Sequence, residues 1–176
     1  MTELLIRDAE ASDVPHLHRL IESAYRGDSS RAGWTTEADL LDGQRTDPEE
    51  LAEILADPAQ ALLAAWRDGE LVASILIADR EEGLGYFGML SVSPTLQASG
   101  LGRRMIAEAE AALIARFSAT RIRISVFPQR TSLIAWYERL GYRGTGETLP
   151  FPYDNPRFGT PLRDDLHFIV MEKQLA

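Results

Sequence analysis

Gln97-Ala98-Ser99-Gly100-Leu101-Gly102 is the stretch on which the fold assignment turns. The small residues at 98, 99, 100 and 102 let the main chain come close to whatever lies beside it. Upstream, Leu84 to Val92 reads as a strand that Pro94 stops. Downstream, Leu101, Met105, Ala109, Ala112 and Leu113 recur at helical spacing, so a helix opens near Gly102. The first amides of a helix have no intrahelical partner and carry partial positive charge. A strand, a small-residue turn and a helix in that order make a seat for a phosphate or pyrophosphate, and Arg103 and Arg104 add charge at its edge. Plain turn chemistry would look the same. No Gly-Lys-Ser/Thr follows, so this is not a nucleotide P-loop. The glycines stand too close together for a dinucleotide-binding turn.

Working outward, the chain alternates between the two periodicities. Ala61 to Arg67 and Glu70 to Asp79 flank Asp68-Gly69, a tight-turn signal, and read as a hairpin. Arg121 to Val126 alternates Ile122, Ile124 and Val126 against Arg121, Arg123 and Ser125. A helix over Thr131 to Leu140 follows, with Gly141 where a helix end wants positive φ. Arg143 to Thr148 and Leu166 to Lys173 are further strands. Leu149 to Asp164, with Pro150, Pro152, Pro156 and Pro161, reads as a long loop. At the other end, Leu4 to Asp8 is a short strand. Ser12 or Asp13 caps a helix striped by Val14, Leu17, Ile21 and Ala24 and ending near Gly27. Residues 28–47 are polar and carry no periodicity. Pro48 opens a short helix to about Leu55. Hairpin strands followed by strand–helix–strand–helix predict an α/β or α+β chain with a mixed sheet. No linker or repeat breaks it, so residues 1–176 read as one domain.

Composition narrows the function. The chain has no cysteine, which removes disulfides, thiolate metal sites and a cysteine acyl-enzyme. His16 and His18 point to different sides of their helix and His167 stands alone, so no metal site is expected. A net charge of −9 argues against nucleic acid and is compatible with a cationic amine as partner. No apolar run is long enough to span a bilayer, and the first residues lack the order of a signal peptide. The expected location is the cytoplasm.

LSVSPTLQASGLGRRMI, residues 90–106, resembles the acetyl-CoA-binding motif of the GNAT superfamily of N-acetyltransferases. Leu90, Ser91, Val92, Gln97, Gly100 and Gly102 match that motif position by position. RISVFPQRTSLIAWYERLGY resembles the family's next motif, where a strand leads to a helix ending in Tyr-x-x-x-Gly-Phe/Tyr. Here those residues are Tyr137, Gly141 and Tyr142. The resemblance covers residues 61–142.

It implies a GNAT-type fold, with a central mixed, mostly antiparallel sheet flanked by helices. It implies an acetyl-CoA-dependent N-acetyltransferase, with acetyl-CoA as co-substrate and no metal. The backbone of Leu90, Ser91 and Val92 would pair with the pantetheine arm. A backbone N–H near Leu90 would face the thioester oxygen. The N–H groups of Ala98, Ser99, Gly100, Leu101, Gly102 and Arg103 would hold the pyrophosphate, and Gln97 belongs to the same cofactor-binding set. Tyr137 would be the general acid for the leaving thiolate; otherwise it is a packed aromatic beside Leu133 and Leu140. Dimers are frequent in the family, so a homodimer is a further implication.

Two departures stand out. Arg130 occupies a position where the family often has asparagine, and it would reach the cofactor phosphates or face water. The strand Leu84 to Val92 has no carboxylate, so a base must come from elsewhere or act through water. Glu22, Asp28, Glu37, Asp39 and Asp42 are the candidates. Gly33-Trp34-Thr35-Thr36-Glu37 combines an aromatic face, two hydroxyls and a carboxylate. Trp34 and Glu37 are therefore expected at the acceptor, with Glu22 beside them. The plain alternative is a loop with a buried Trp and solvated acids. Three functional readings remain open: acetylation of a small-molecule amine or amino acid, acetylation of a protein N-terminus or lysine, and a CoA-binding regulatory module without turnover.

Overall fold

The computed structural model describes residues 3–26, 30, 36–97 and 99–175. A seven-stranded mixed sheet runs through it. Its strands are β1 (Leu4–Asp8), β3 (Gln60–Arg67), β4 (Glu70–Asp79), β5 (Leu84–Val92), β6 (Arg121–Val126), β9 (His167–Gln174) and β7 (Arg143–Pro150), in that spatial order. A second, two-stranded ribbon pairs β2 (Leu41–Asp42) with β8 (Thr160–Pro161). The segment 149–164, expected as pure loop, thus supplies the end of β7 and one strand of that ribbon. Proline tolerates edge positions of this kind because no ladder N–H is needed there.

Helices cover both faces. On one, α3 (Leu101–Phe117) lays Leu101, Met105, Ala109 and Leu113 against Ile75, Ile77, Phe87 and Ile122. On the other, α1 (Val14–Tyr25) and α2 (Pro48–Ala56) lay Leu17, Ile21, Leu51 and Ile54 against Leu62, Leu76 and Met89. A strand buried on both faces reads as one apolar run rather than an alternation. Val72 to Ala78 of β4 is that run. The β3–β4 turn places Asp68 and Gly69 at φ of 53° and 79°, the pair of positive values that a two-residue hairpin demands.

Two irregularities in β5 prepare the site. Between the pairs Leu76↔Gly88 and Ser74↔Ser91, β5 uses one residue more than β4, with Met89 at φ 51°. This is a β-bulge, which bends its strand and re-aims the residues beside it. β5 also pairs with β6 in parallel only from Leu84↔Arg121 to Tyr86↔Arg123. Beyond that point β6 keeps its ladder with β9, and β5 parts from it. The sheet is split open beside Leu90. The helix α4 (Thr131–Arg139) follows β6 in the chain. Among the described residues, no helix is long and apolar enough to cross a membrane.

Candidate active site

One cavity, of about 390 Å³, lies at the glycine turn, lined by Gln97, Gly100, Gly102, Arg103, Ser132, Trp136 and Arg139. Gly100 caps α3 at φ 83°, and its carbonyl accepts the Arg104 amide at 3.1 Å. The amides of Leu101, Gly102 and Arg103 therefore precede the helix's own ladder. Gln97 is buried, and its Nε2 donates to the Val92 carbonyl at 3.1 Å. That bond ties the turn to the end of β5. A Cβ on Gly102 would lie 3.5 Å from the Trp136 ring, so a larger side chain would enter the space between α3 and α4. Two arginines and a helix N-terminus give this cavity positive potential, which suits a diphosphate.

A second cavity, of about 290 Å³, opens where β5 leaves β6. Tyr137 lines it from α4, buried at 6% exposure. Its ring lies 6.0 Å from Phe87, 5.3 Å from Trp136 and 5.9 Å from Tyr142. Its hydroxyl makes no hydrogen bond among the described residues. Burial pushes its pKa well above the ordinary phenol value. Tyr25, at the end of α1, crosses the cavity and donates its hydroxyl to the Leu90 carbonyl. Burial pushes its pKa up to about 12.

Glu37 is buried in the wall of this cavity. Its Oε1 accepts from Arg26 at 2.7 Å and its Oε2 from Arg130 at 3.2 Å. Burial alone would raise its pKa. The guanidiniums of Arg130, Arg45 and Arg26 outweigh burial and hold the carboxyl below the usual range. Arg45 also lines the cavity, with its guanidinium 5.2 Å from the centre of the Tyr25 ring. Phe127, Phe151, Phe158 and Phe168 supply apolar wall.

The expected residues are distributed unevenly between these two places. Gln97, Gly100, Gly102 and Arg103 meet at the first cavity; Leu90, Glu37 and Tyr137 meet at the second. Ser91 and Val92 are buried in β5, with Ser91 Oγ donating to the Met89 carbonyl at 3.0 Å. Leu101 is buried in the core and Ser99 is exposed at the turn. Trp34, Ala98 and Asp28 lie outside the described residues.

Two expectations are corrected. Arg130 neither faces water nor lines the cavity at the glycine turn. Its side chain is 10% exposed because Glu37 holds it inward at the second cavity. Glu22, expected at the acceptor, does not line the second cavity. Its Oε1 accepts the backbone amides of Arg45 and Thr46, at 2.7 and 2.9 Å. It fixes the segment that carries Arg45. Sequence reasoning missed Ser132, Trp136 and Arg139, although their spacing puts them on one face of α4. It also missed Tyr25, Arg26 and Arg45, which no local pattern distinguishes. Among the described residues, no group of three or more His, Asp or Glu side chains is placed to hold a metal.

A profile of the acetyltransferase (GNAT) family matches residues 17–142. The chain belongs to that family, and it is an acetyltransferase. No curated protein sequence matches it significantly. Among solved structures, it is similar to the ribosomal-protein-S18-alanine N-acetyltransferase of Escherichia coli. That match has 15% identity, covers 99% of this chain and 95% of that chain, and has a TM-score of 0.71. A ribosomal-protein-alanine N-acetyltransferase from Brucella melitensis shares 20% identity over 97% of this chain and 99% of that one, with a TM-score of 0.70. A spermidine N-acetyltransferase chimera from Vibrio cholerae and hSSAT shares 17% over 97% and 95%, with a TM-score of 0.68. At these identities the likeness is one of fold.

Proposed function

We propose that residues 1–176 act as one N-acetyltransferase domain that moves the acetyl group of acetyl-CoA to a primary amine of a small molecule, by direct attack in a ternary complex. The observation that carries this reading is the split between β5 and β6. It opens beside Leu90, carries Tyr137 on its wall, and belongs to the same strand that ends at the glycine turn. The diphosphate of acetyl-CoA would lie against the first turn of α3 with Arg103 and Arg139, and its arm would follow the freed edge of β5.

The amine nitrogen, once neutral, forms a bond to the acetyl carbon, and the carbon–sulfur bond breaks with its electron pair on sulfur. Tyr137 gives the sulfur a proton and regains one from solvent. The incoming ammonium loses two protons, so one proton is released to water overall. A free thiol has a pKa of about 8.5 and a phenol about 10. Burial keeps Tyr137 protonated, so it stands ready to give its proton to the thiolate as the carbon–sulfur bond breaks. Glu37 is a weak proton acceptor because two guanidiniums hold its charge. It serves instead to fix Arg26 and Arg130 at the acceptor, and the amine's proton leaves through water. Small size of the acceptor is supported by Phe151 and Phe158, which wall the cavity.

The test is thiol release from acetyl-CoA over a panel of amines, with Tyr137→Phe beside the natural chain. We expect turnover by the natural chain and a fall in kcat of about 100- to 1,000-fold in the variant, with acetyl-CoA affinity within threefold. Turnover unchanged in Tyr137→Phe at both neutral and high pH would remove the tyrosine from the mechanism. Heat stabilisation by CoA without turnover of any amine would favour a regulatory CoA-binding module instead.

A further inference from the structure

Among its described lining residues, the second cavity carries more positive than negative charge. Arg26, Arg45 and Arg130 line it, and Glu37 is the one carboxylate among its described lining residues. Both oxygens of Glu37 are already engaged, one by Arg26 and one by Arg130. Arg26 also donates to the Phe158 carbonyl at 3.2 Å, and its Nε is buried without a partner. The Arg45 guanidinium has no hydrogen bond and no ion pair among the described residues; it rests on the face of Tyr25. Nearby carboxylates are spoken for. Glu22 accepts backbone amides, and Glu50 accepts from the Thr46 hydroxyl at 2.8 Å and lies 4.0 Å from Arg157. A partly enclosed guanidinium whose donors make no hydrogen bond gains from an anion that accepts from them, beyond the longer-range attraction of Glu37 and Glu50 that already favours its charge. The rest of the wall is mostly apolar and includes an aromatic cluster: Phe127 stacks on Phe168 at 4.6 Å and lies 6.1 Å from Phe151.

We propose that the acceptor is an amine that also carries a carboxylate on an aromatic or branched apolar body, and that Arg45 grips this carboxylate. The proposal rests on the transferase reading above and names its substrate class. It reverses what the net charge of −9 suggests, because the surface is acidic and the cavity is cationic. It also bears on the missing base. Three guanidiniums disfavour a further positive charge beside them, so a bound ammonium gives up its proton more readily there than in water.

Two measurements decide the matter. The first compares kcat/KM for phenylalanine and 2-phenylethylamine, which differ only in the carboxylate, with spermidine as a cationic control. A preference for phenylalanine on the order of 100-fold is expected. Arg45→Met should cut that ratio at least tenfold, and Arg45→Lys should restore part of it. Equal or better use of 2-phenylethylamine or spermidine by the natural chain would overturn the proposal. The second measurement needs no turnover: calorimetric binding of 3-phenylpropionate to the natural chain and to Arg45→Met. Binding that weakens at least tenfold in the variant supports the anion site even if every amine is inert, in which case the transferase reading alone fails. Absence of binding, or equal binding by both proteins, overturns the anion site. So would a matching loss of acetyl-CoA affinity in Arg45→Met, which would assign Arg45 to the cofactor.

Discussion

The two cavities are built in opposite ways. The one at the glycine turn draws on Gln97, Gly100, Gly102, Arg103 and one face of α4, and its chemistry is largely backbone: amides at a helix start and room left by absent side chains. The one at the β5–β6 split gathers α1, Glu37, Arg45, β5, β6, α4 and the 149–168 region, and its chemistry is side-chain charge. A main-chain site needs only a local turn, so it is compact in sequence. A side-chain site takes charges from wherever the fold brings them, and its residues depend on one another. Removing a paired buried charge from the second should therefore disturb folding first, and filling the open space of the first should disturb binding first.

The sharpest test of that contrast is Glu37→Gln. The change leaves Arg26 and Arg130 buried with no carboxylate between them. Breaking a buried pair by removing one partner costs about 3 kcal/mol or more, so urea denaturation at pH 7 should show a loss of that order. The pH dependence follows from the lowered pKa of Glu37. A carboxyl with a depressed folded pKa contributes stability that is fully present above its unfolded value, about 4.3, and lost as pH falls through the folded one. Glutamine does not titrate. The gap between the two proteins should hold from pH 7 down to about 5 and narrow below 4. A gap unchanged at pH 3 would mean that the carboxylate's charge is not what the arginines need.

Gly102→Leu probes the other cavity. The leucine would project into the space that Trp136 bounds, where the diphosphate is proposed to lie. Acetyl-CoA affinity should fall by about 100-fold or more by calorimetry, while the melting temperature shifts by only a few degrees. Affinity untouched in the folded variant would remove the glycine turn from cofactor binding.

The same contrast explains what could be read from the amino acids alone. The bounds of β4, β5 and β6 follow from apolar runs broken by Asp68-Gly69, Pro94 and the alternation at Ile122, Ile124 and Val126. The turn at Gly100 and the helix after it were legible for the same reason: they are local. Tyr137 was singled out through the motif ending in Gly141-Tyr142, and no spacing in the sequence assigns it a role. Arg45 and Arg26 had no signature. Nothing near position 45 indicates that Glu22, a turn of helix and many residues away, holds its backbone, or that β5 leaves β6 at Tyr86 and makes room for its guanidinium. Arg130 was misjudged because its partner, Glu37, lies 93 positions earlier. An arginine on a helix start is normally solvated, and only the fold supplies the acid that draws it in.

A finer comparison sits within the glycine turn itself. Gly100 and Gly102 are two residues apart, yet their reasons for being glycine differ. Around Gly100 a Cβ would meet nothing within 4 Å, but φ is +83°; the requirement is conformational. Gly102 lies in ordinary helix, where a Cβ meets Trp136 at 3.5 Å and Val92 at 3.8 Å, both ordinary contacts; what glycine would provide there, on the proposed function, is room for the diphosphate. Gly100→Ala should cost about 1 kcal/mol of stability, the penalty for a left-handed L-residue, and leave acetyl-CoA affinity within a few-fold. Gly102→Ala should keep stability or raise it by up to about 1 kcal/mol, since the added Cβ makes only ordinary contacts and helix propensity is gained, and should weaken acetyl-CoA by several-fold. Paired denaturation and calorimetry on the two alanine variants would separate these roles. The reverse pattern, with Gly102→Ala unstable and Gly100→Ala unable to bind, would show that the turn's shape rather than its open space is what the cofactor reads.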